Sequence, residues 1–321
     1  MDEVIVAARK VAERIVGNVE RVIVGKASTV EMAVVGLMSR GHLLIEDAPG
    51  VGKTMLARSL AKSIQCSFKR IQFTPDMLPG DITGVSVYNQ KTGDFEFRPG
   101  PIMANIVLAD EINRATPKVQ SALLECMEEG QISVDGLSHH MPSPFHVLAT
   151  QNPIEYEGTF PLPETQLDRF LMRISLGYPS LSDEISIMEQ QHFRHPIEDL
   201  EPVADSAEVI MLEDSGKKVF VDELVRRYIA QLVAATRASD AVRLGASPRG
   251  SLALFRCAQA YALLKGRDYV LPDDVKYLAE PVLAHRLILK TRGQAEDKSG
   301  RSFIAELLAS VAVPGTLVKR Q

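Results

Sequence analysis

An α/β core built on a parallel sheet, followed by a smaller domain made only of helices, is the fold that this sequence predicts. Two observations support it. In the first half of the 321 residues, short apolar strands alternate with helices, which is the order that crossover connections in a parallel sheet require. Beyond about residue 200 the apolar pattern is helical throughout. We place the boundary in the acidic, proline-containing stretch 196–205, which predicts a core of residues 1–200 and a helical domain of residues 201–321.

The composition is that of a folded globular protein. Hydrophobic residues make up 45% and charged residues 24% of the chain, and the net charge of −5 indicates no general attraction to nucleic acid or anionic membranes. No apolar run reaches the roughly 18–20 residues that a membrane span needs, and the amino terminus is acidic where a secretory signal is basic. Cys66, Cys126 and Cys257 are far apart, so we expect buried thiols in a reducing cytoplasm rather than disulfides.

The first elements of the core surround a glycine-rich turn. Ser28, with Glu31 three residues later, predicts a capped helix that ends at Gly41. Residues 42–46 then form an apolar stretch typical of a buried strand. A second helix is expected after the turn, and its apolar face consists of Leu56, Leu60 and Ile64.

The rest of the core alternates in the same way. Thr116 and Pro117 predict the cap and first turn of a helix that ends at Gly130. Residues 105–109 are almost wholly apolar, as a central parallel strand should be. We predict further strands at residues 69–73, 146–150 and 170–176, and hairpin tips at residues 91–94 and 135–136.

Three helices of the second domain begin with recognisable start signals. Asp222 is placed to cap the first, Ser247 and Pro248 begin a second that continues to Leu264, and Pro272 opens a third. The first of these helices carries Leu224, Tyr228, Leu232 and Val233.

The glycine-rich turn has the composition of a phosphate-binding loop. Residues 48–54, APGVGKT, join the predicted strand to the next helix, so backbone N–H groups and the helix amino terminus can face a phosphate. Lys53 would reach the β- and γ-phosphates, and the Thr54 hydroxyl would bind magnesium. The strict pattern of such loops has glycine at position 47, where this chain has Asp47.

Two carboxylates follow the apolar strand that begins near residue 105. Asp110 would lie at the carboxyl end of a parallel strand, beside the phosphate loop, where it can hold magnesium through the water shell of the ion. Glu111 would then orient and deprotonate the attacking water. Two acids after a strand are not distinctive alone. Here a phosphate loop lies upstream, and the chain between is long enough for a crossover connection, which favours a catalytic role for both acids.

Three further polar residues are candidates for the same chemistry. Asn152 follows another apolar strand and is best placed to face the γ-phosphate, with Gln151 or Thr150 as alternatives. Arg169 precedes the last predicted strand and could reach a phosphate across a subunit boundary, or form an ordinary surface ion pair. Arg249 lies in the first turn of a helix and could project across the cleft between the domains, or likewise pair at the surface.

With these motifs in place, the chain resembles the MoxR family of AAA+ ATPases over essentially its whole length. A family that often lacks the first glycine of the phosphate loop also accommodates Asp47. The resemblance implies a P-loop NTPase core of the AAA+ type followed by a smaller, all-helical lid domain. The residues that carry it are 41–47 and 49–54 at the phosphate loop, then DEINRA at 110–115, ATQNP at 149–153, LDRF at 167–170 and GASPRG at 245–250.

The resemblance also implies roles and cofactors. Asn152 matches the sensor-1 position, Arg249 the sensor-2 position of the lid, and Arg169 an arginine finger that reaches the ATP of a neighbouring subunit, with Arg114 as a lower-ranked rival. ATP, ADP and Mg²⁺ are the expected ligands, with Thr54 and Asp110 at the metal. The nucleotide-binding residues implied are Val24 and Gly25 near the adenine and Pro49, Gly50, Val51, Gly52, Lys53, Thr54 and Met55 around the phosphates.

A finger supplied by a neighbour makes activity depend on a homo-oligomer, so a hexameric ring is the expected working form. Segments 80–101 and 131–141 resemble hairpins that line the central face of such a ring. Relatives act as chaperones with proteins that contain a von Willebrand factor A domain, in metal insertion or complex maturation. The alternatives are a nucleic-acid-dependent motor, which the acidic balance disfavours, a metal-chelatase motor subunit, and a nucleotide-binding module that does not turn over.

Overall fold

The computed structural model describes residues 3–153, 158–191, 194–290 and 299–313. Its helices are α1 (Glu3–Glu20), α2 (Ala27–Met38), α3 (Lys53–Ser63), α4 (Pro79–Thr83), α5 (Pro117–Glu129), α6 (Glu164–Leu167), α7 (Leu181–Gln190), α8 (Ser206–Gly216), α9 (Glu223–Ala238), α10 (Pro248–Leu264), α11 (Pro272–Leu283) and α12 (Gly300–Ser310). Its strands are β1 (Leu43–Glu46), β2 (Phe68–Gln72), β3 (Gly84–Asn89), β4 (Asp94–Pro99), β5 (Ile106–Asp110), β6 (Gln131–Val134), β7 (Leu137–His140), β8 (His146–Gln151), β9 (Met172–Ile174), β10 (Val242–Leu244) and β11 (Ile288–Leu289).

A five-stranded parallel sheet organises the core. Its strand order is β2-β5-β8-β1-β9, and every neighbouring pair is parallel. All carboxyl ends therefore meet at one edge of the sheet, called the carboxyl edge below, and all amino ends meet at the opposite amino edge. β5 is buried along its whole length, as its apolar sequence predicts for a central strand. The predicted parallel α/β core is thus confirmed.

Two antiparallel hairpins extend from this core. β3 pairs with β4 and β6 pairs with β7, so the predicted tips at residues 91–94 and 135–136 are confirmed. The hairpins contact each other where the rings of Phe97 and His139 stack with centroids 4.0 Å apart. Tyr88 and Phe95 face each other across the first hairpin, and both are exposed.

Some predicted boundaries are wrong. α2 begins at Ala27 without a side-chain cap, so Ser28 lies inside the helix, and Glu31 forms an ion pair with Lys265 instead of closing a capping box. The last strand covers Met172–Ile174 rather than residues 170–176, because the chain after it donates its N–H groups to a carboxylate and not to another strand. Apolar residues on both sides of β9 made the strand look longer in the sequence than the segment that pairs with β1.

The second domain is helical, as predicted, with one addition. Asp222 and Ser247 cap α9 and α10, and Pro272 opens α11. Val242–Leu244 and Ile288–Leu289 form a two-stranded antiparallel ribbon, which was missed because segments of three and two residues carry no readable periodicity. Among the described helices, none is long and apolar enough to cross a membrane.

One hydrophobic core joins the lid to the sheet. Residues of α8 to α11 pack in the same buried cluster as α1, α2 and the strand β1, with Ile15, Leu37, Tyr228 and Leu254 among its fully or nearly fully buried members. All three cysteines are free thiols; Cys126 and Cys257 are buried and Cys66 half-buried. The boundary at residue 200 stays a prediction, because this core runs across it.

Two buried histidines lie side by side at the amino edge. Burial lowers the pKa of His42 to about 4 and that of His146, which also faces His42, to about 3. His42 contacts the Met127 carbonyl at 3.0 Å and accepts a hydrogen bond from the Val147 N–H, so its neutral form is well satisfied. Protonation of either ring would place a charge where water cannot reach it.

We expect the free energy of unfolding to fall as the pH drops below about 6.5. The unfolded chain binds a proton at His42 and His146 near that pH, whereas the folded chain resists until about pH 4 and 3. The pair should therefore cost about 3 kcal/mol of stability between pH 7.5 and 5.5, which urea unfolding measures. His146→Gln should reduce this loss by about 1.4 kcal/mol, and the exposed control His140→Gln should not. An undiminished loss in His146→Gln would contradict the assignment.

Candidate functional site

The loop between β1 and α3 forms an open cradle at the carboxyl edge. Gly50 has φ +84° and Gly52 has φ +100°, a left-handed conformation that side chains rarely adopt. A side chain at Gly50 would meet nothing within 4 Å, so glycine is required there by the backbone and not by lack of space. Lys53 begins α3, and its Nζ donates to the Asp47 carbonyl oxygen at 2.9 Å. The loop therefore presents the amino terminus of α3 to open space, as phosphate binding requires.

Asp47, the departure from the usual loop pattern, anchors the cradle. Its buried carboxylate accepts N–H donation from Leu176 at 2.6 Å and from Gly177 at 2.8 Å, together with the Ser175 hydroxyl at 3.1 Å. The other carboxylate oxygen accepts the N–H of Ala48. A glycine could make none of these side-chain bonds, so in this chain Asp47 ties the start of the phosphate loop to the chain that follows β9.

Asp110 lies at the same edge, at the end of β5. The side chain is buried; one oxygen accepts the Thr150 hydroxyl at 2.6 Å, and the other is paired with Arg70 at 2.5 Å. Thr150, considered above only as an alternative to Asn152, thus contacts the acid pair. Arg70 was missed by sequence reasoning, although it occupies a predicted strand next to that of Asp110 in the sheet.

Glu111 is held by its neighbours in a left-handed backbone conformation, with φ +59°. Its N–H donates to the Thr150 hydroxyl at 2.8 Å, and its carboxylate accepts the Gln72 side-chain amide at 2.7 Å and Arg114 at 3.1 Å. Gln72 was also missed. β2 carries Lys69 and Arg70 and is largely exposed, so the pattern that identified Asp110, a polar residue after an apolar strand, does not apply to Gln72.

Asn152 lies between the two halves of this site. β8 separates β5, which carries the acid pair, from β1, which enters the phosphate loop. Asn152 follows β8 directly and is buried, and the neighbouring Gln151 carbonyl accepts the N–H of Asp47. The fold therefore brings the phosphate loop, the acid pair and Asn152 to one edge of the sheet.

Val24 and Gly25 lie on the same side of the molecule as the phosphate loop. Gly25 has φ +72°, and a side chain there would collide with the Asp183 carboxylate at 2.2 Å. Lys26 donates to the Tyr178 carbonyl at 2.7 Å, so the segment that Asp47 anchors also supports the turn at Val24. Val24 is half-buried and Gly25 is exposed.

Arg169 and Arg249 lie at the opposite, amino edge. Arg169 precedes β9, and the nearby Leu171 N–H donates to the carbonyl of His42, which precedes β1. Arg249 is in the first turn of α10, and both arginines form ion pairs with Glu128 in the last turn of α5. The four residues of β1 alone separate the two edges by about 13 Å, so both arginines lie on the side of the sheet away from the cradle of their own subunit. Arg249 does project from the lid to the core, where it meets Glu128, and its role towards a nucleotide stays a prediction.

A buried arginine from the lid fixes this edge. Arg286 is 6% exposed, and its Nε donates to Asp168 at 2.9 Å while its other nitrogens bond the carbonyls of Phe170 and Leu171. Ser247 donates to the second Asp168 oxygen at 2.8 Å. Rotation of the lid against the core of the same subunit would break these bonds. No sequence signal distinguished Arg286 from other lid arginines.

The residues at the carboxyl edge fit a magnesium–nucleotide complex. The glycines leave the cradle open, and no hydrogen bond of the Thr54 hydroxyl occurs among the described residues, so that oxygen is available to a cation. Asp110 supplies a buried carboxylate at the same edge, with lone pairs beyond those used by Thr150 and Arg70. Hard oxygen ligands of this kind are those that magnesium prefers.

A parallel sheet with a phosphate loop, an acid pair at the end of a central strand and a helical lid defines a P-loop ATPase of the AAA+ class. Comparisons agree. The model of the ATPase family associated with various cellular activities matches residues 42–172, and that of the AAA lid domain matches residues 234–307. On these grounds and those of the relatives described next, the chain belongs to the MoxR family of AAA+ ATPases.

The relatives match over nearly the whole chain. The uncharacterized protein YeaC of Bacillus subtilis is 54% identical over 93% of each chain. Chaperone MoxR1 of Mycobacterium tuberculosis is 43% identical, over 94% of this chain and 82% of its own length. The crystal structure of a candidate ATPase from Cytophaga hutchinsonii covers 97% of both chains, with a TM-score of 0.90 and 39% identity.

Proposed function

We propose that this protein hydrolyses ATP with Mg²⁺ in a ring of identical subunits and uses the energy to remodel protein complexes. The observation that carries the proposal is the placement of Lys53, Asp110 and Glu111 at one edge of the sheet and of Arg169 and Arg249 at the other. A subunit with its phosphate loop at one edge and two arginines at the other is suited to complete the site of the next subunit.

Each residue at the carboxyl edge has a distinct task in this reaction. Lys53, released from the Asp47 carbonyl, holds the β- and γ-phosphates, and Thr54 and Asp110 hold the magnesium that neutralises their charge. Glu111 accepts the proton of a water whose oxygen attacks the γ-phosphorus, and ADP leaves with the electrons of the broken P–O bond. Asn152 orients that water.

Arg169 and Arg249 supply positive charge from the neighbouring subunit as the transition state forms. An arginine of this kind contributes about 10³–10⁵ in rate. An isolated subunit therefore binds ATP but hydrolyses it slowly, and hydrolysis depends on assembly, with a hexamer as the proposed working form. Arg114 is the weaker candidate, because it is paired with Glu111 of its own subunit at the opposite edge.

Protein remodelling is the favoured use of this energy. A relative with 43% identity is named as a chaperone. The exposed aromatic pair Tyr88 and Phe95 on the first hairpin offers apolar contact to polypeptide. A partner with a von Willebrand factor A domain follows from the family resemblance. Stimulation of hydrolysis by DNA or RNA that weakens with salt would favour the nucleic-acid alternative.

Mixed rings test the trans arrangement. Arg169→Ala subunits keep an intact phosphate loop and acid pair, whereas Glu111→Gln subunits keep intact arginines. Rings containing both should recover at least tenfold more hydrolysis than either variant alone, since the finger is worth several orders of magnitude. The readout is phosphate release against mixing ratio.

The matched control is a mixture of Lys53→Ala and Glu111→Gln subunits. Every ATP site in such a ring lacks either its own Lys53 or its own Glu111, so no recovery of hydrolysis is expected. If Arg169→Ala with Glu111→Gln behaves like this control in rings shown to be mixed, Arg169 does not act across the interface.

A further inference from the structure

Glu128 connects the two arginines of the amino edge through a single carboxylate. Oε2 lies 3.2 Å from Nε of Arg169 in an ion pair, and Oε1 pairs with Nη2 of Arg249. The three residues come from three separate parts of the fold, namely the segment before β9, the last turn of α5 and the first turn of α10 in the lid. Glu128 is therefore where core and lid bring their exposed positive charges together.

The geometry leaves both arginines available for further binding. Each uses one nitrogen for Glu128, and a guanidinium has five N–H donors. The side chains of Arg169 and Arg249 are 32% and 52% exposed, so part of each stays accessible to a binding partner. Glu128 contacts the two guanidinium groups from one side and does not cover them. Two guanidinium groups this close would otherwise repel each other.

The backbone beneath the two arginines is fixed in the same manner. Asp168, next to Arg169, accepts hydrogen bonds from Ser247, two residues before Arg249, and from the buried Arg286. One carboxylate thus ties the two chain segments together and a second, Glu128, ties the two side chains together. Reacting groups must be held within fractions of an ångström to act, and such support supplies that precision.

We propose that Glu128 is a positioning residue for ATP hydrolysis at the neighbouring subunit, where it presents Arg169 and Arg249 as a pair to the phosphates of the bound nucleotide. The inference rests on the proposed function and goes beyond it, because it assigns a role to Glu128, to which the proposed function gives none. Glu128 lies in the last turn of α5, and the chain segment between Glu111 and that helix is short, so the helix joins Glu128 at the amino edge to Glu111 at the carboxyl edge.

Glu128→Gln is the direct test, in assembled rings of full-length protein. Loss of the negative charge should lower kcat about tenfold, because misplacement of a reacting group by about 1 Å can cost up to about 10²-fold. KM for ATP should stay unchanged, because the nucleotide is bound by the neighbour's own loop. Glu129→Gln, the same charge change one residue away, is the control: its side chain is exposed and forms no ion pair with an arginine among the described residues, so it should behave as wild type.

Two measurements separate positioning from a merely structural effect. Mixing Glu128→Gln with Glu111→Gln subunits should restore hydrolysis, because Glu128→Gln subunits keep a complete site of their own; a variant damaged in its fold would show no recovery. In an Arg169→Ala, Arg249→Ala background, Glu128→Gln should lower kcat no further, and a further loss would show that it acts by another route.

The remaining outcomes also decide the matter. A wild-type or increased rate in Glu128→Gln overturns the proposal, an increase meaning that Glu128 restrains the arginines instead of presenting them. Absence of hydrolysis by the wild-type ring is a different result, because it overturns the proposed function itself.

Discussion

Replacing Glu111 by glutamine is expected to stop ATP hydrolysis while ATP stays bound. The amide has nearly the size of the carboxylate and can still contact Gln72, but it cannot accept a proton from the attacking water. General bases contribute about 10²–10⁴ in rate, so phosphate release in the assembled ring should fall by at least two orders of magnitude. Equilibrium binding of ATP, measured by calorimetry with magnesium, should remain within a few-fold of wild type.

Glu125→Gln is a suitable control, since it makes the same change on an exposed face of α5. A Glu111→Gln protein that turns over ATP at the wild-type rate would remove Glu111 as the base. Because this variant holds ATP, it should also retain bound partners, and a pull-down in ATP compared with ADP tests the remodelling proposal and the expected von Willebrand factor A domain partner. Partners recovered equally with both nucleotides would count against a nucleotide-driven cycle.

Replacing Lys53 by alanine is expected to abolish nucleotide binding. The ammonium group begins α3 at the open side of the cradle, and its present contact is one carbonyl oxygen at 2.9 Å, which a phosphate can replace. Without it the phosphates keep only backbone N–H donors and the helix amino terminus, and affinity for ATP should fall at least a hundredfold, consistent with loss of a charge-assisted bond of about 3 kcal/mol. Calorimetry with ATP and with ADP measures this.

Arg58→Ala provides the comparison, because it removes a positive charge from the exposed face of the same helix. It should bind nucleotide as the wild type does. Wild-type affinity in Lys53→Ala would refute the phosphate-loop assignment, and equal losses in both variants would indicate a general effect of charge on α3.

Local sequence rules were sufficient for much of the fold and of one half of the site. The alternation of strands and helices predicted the parallel core, and Asp222, Ser247 and Pro272 marked helix starts where the structure has them. The glycines and Lys53 of the loop were readable because phosphate binding needs particular residues at consecutive positions. The capping rule gave a wrong prediction at Ser28, because the helix begins earlier and Glu31 pairs with Lys265 of the lid.

The sequence by itself determined that this chain has a phosphate loop, an acid pair after an apolar strand and a helical lid, because each follows from spacing within a few residues. Only the tertiary structure decided that Arg169 and Arg249 share Glu128 at the amino edge. The chain's own phosphate loop lies at the opposite end of β1, a strand about 13 Å long. Glu128 is 121 residues from Arg249 along the chain. The order of the strands and the path of α5 bring such residues together, and neither is contained in the local pattern of residues.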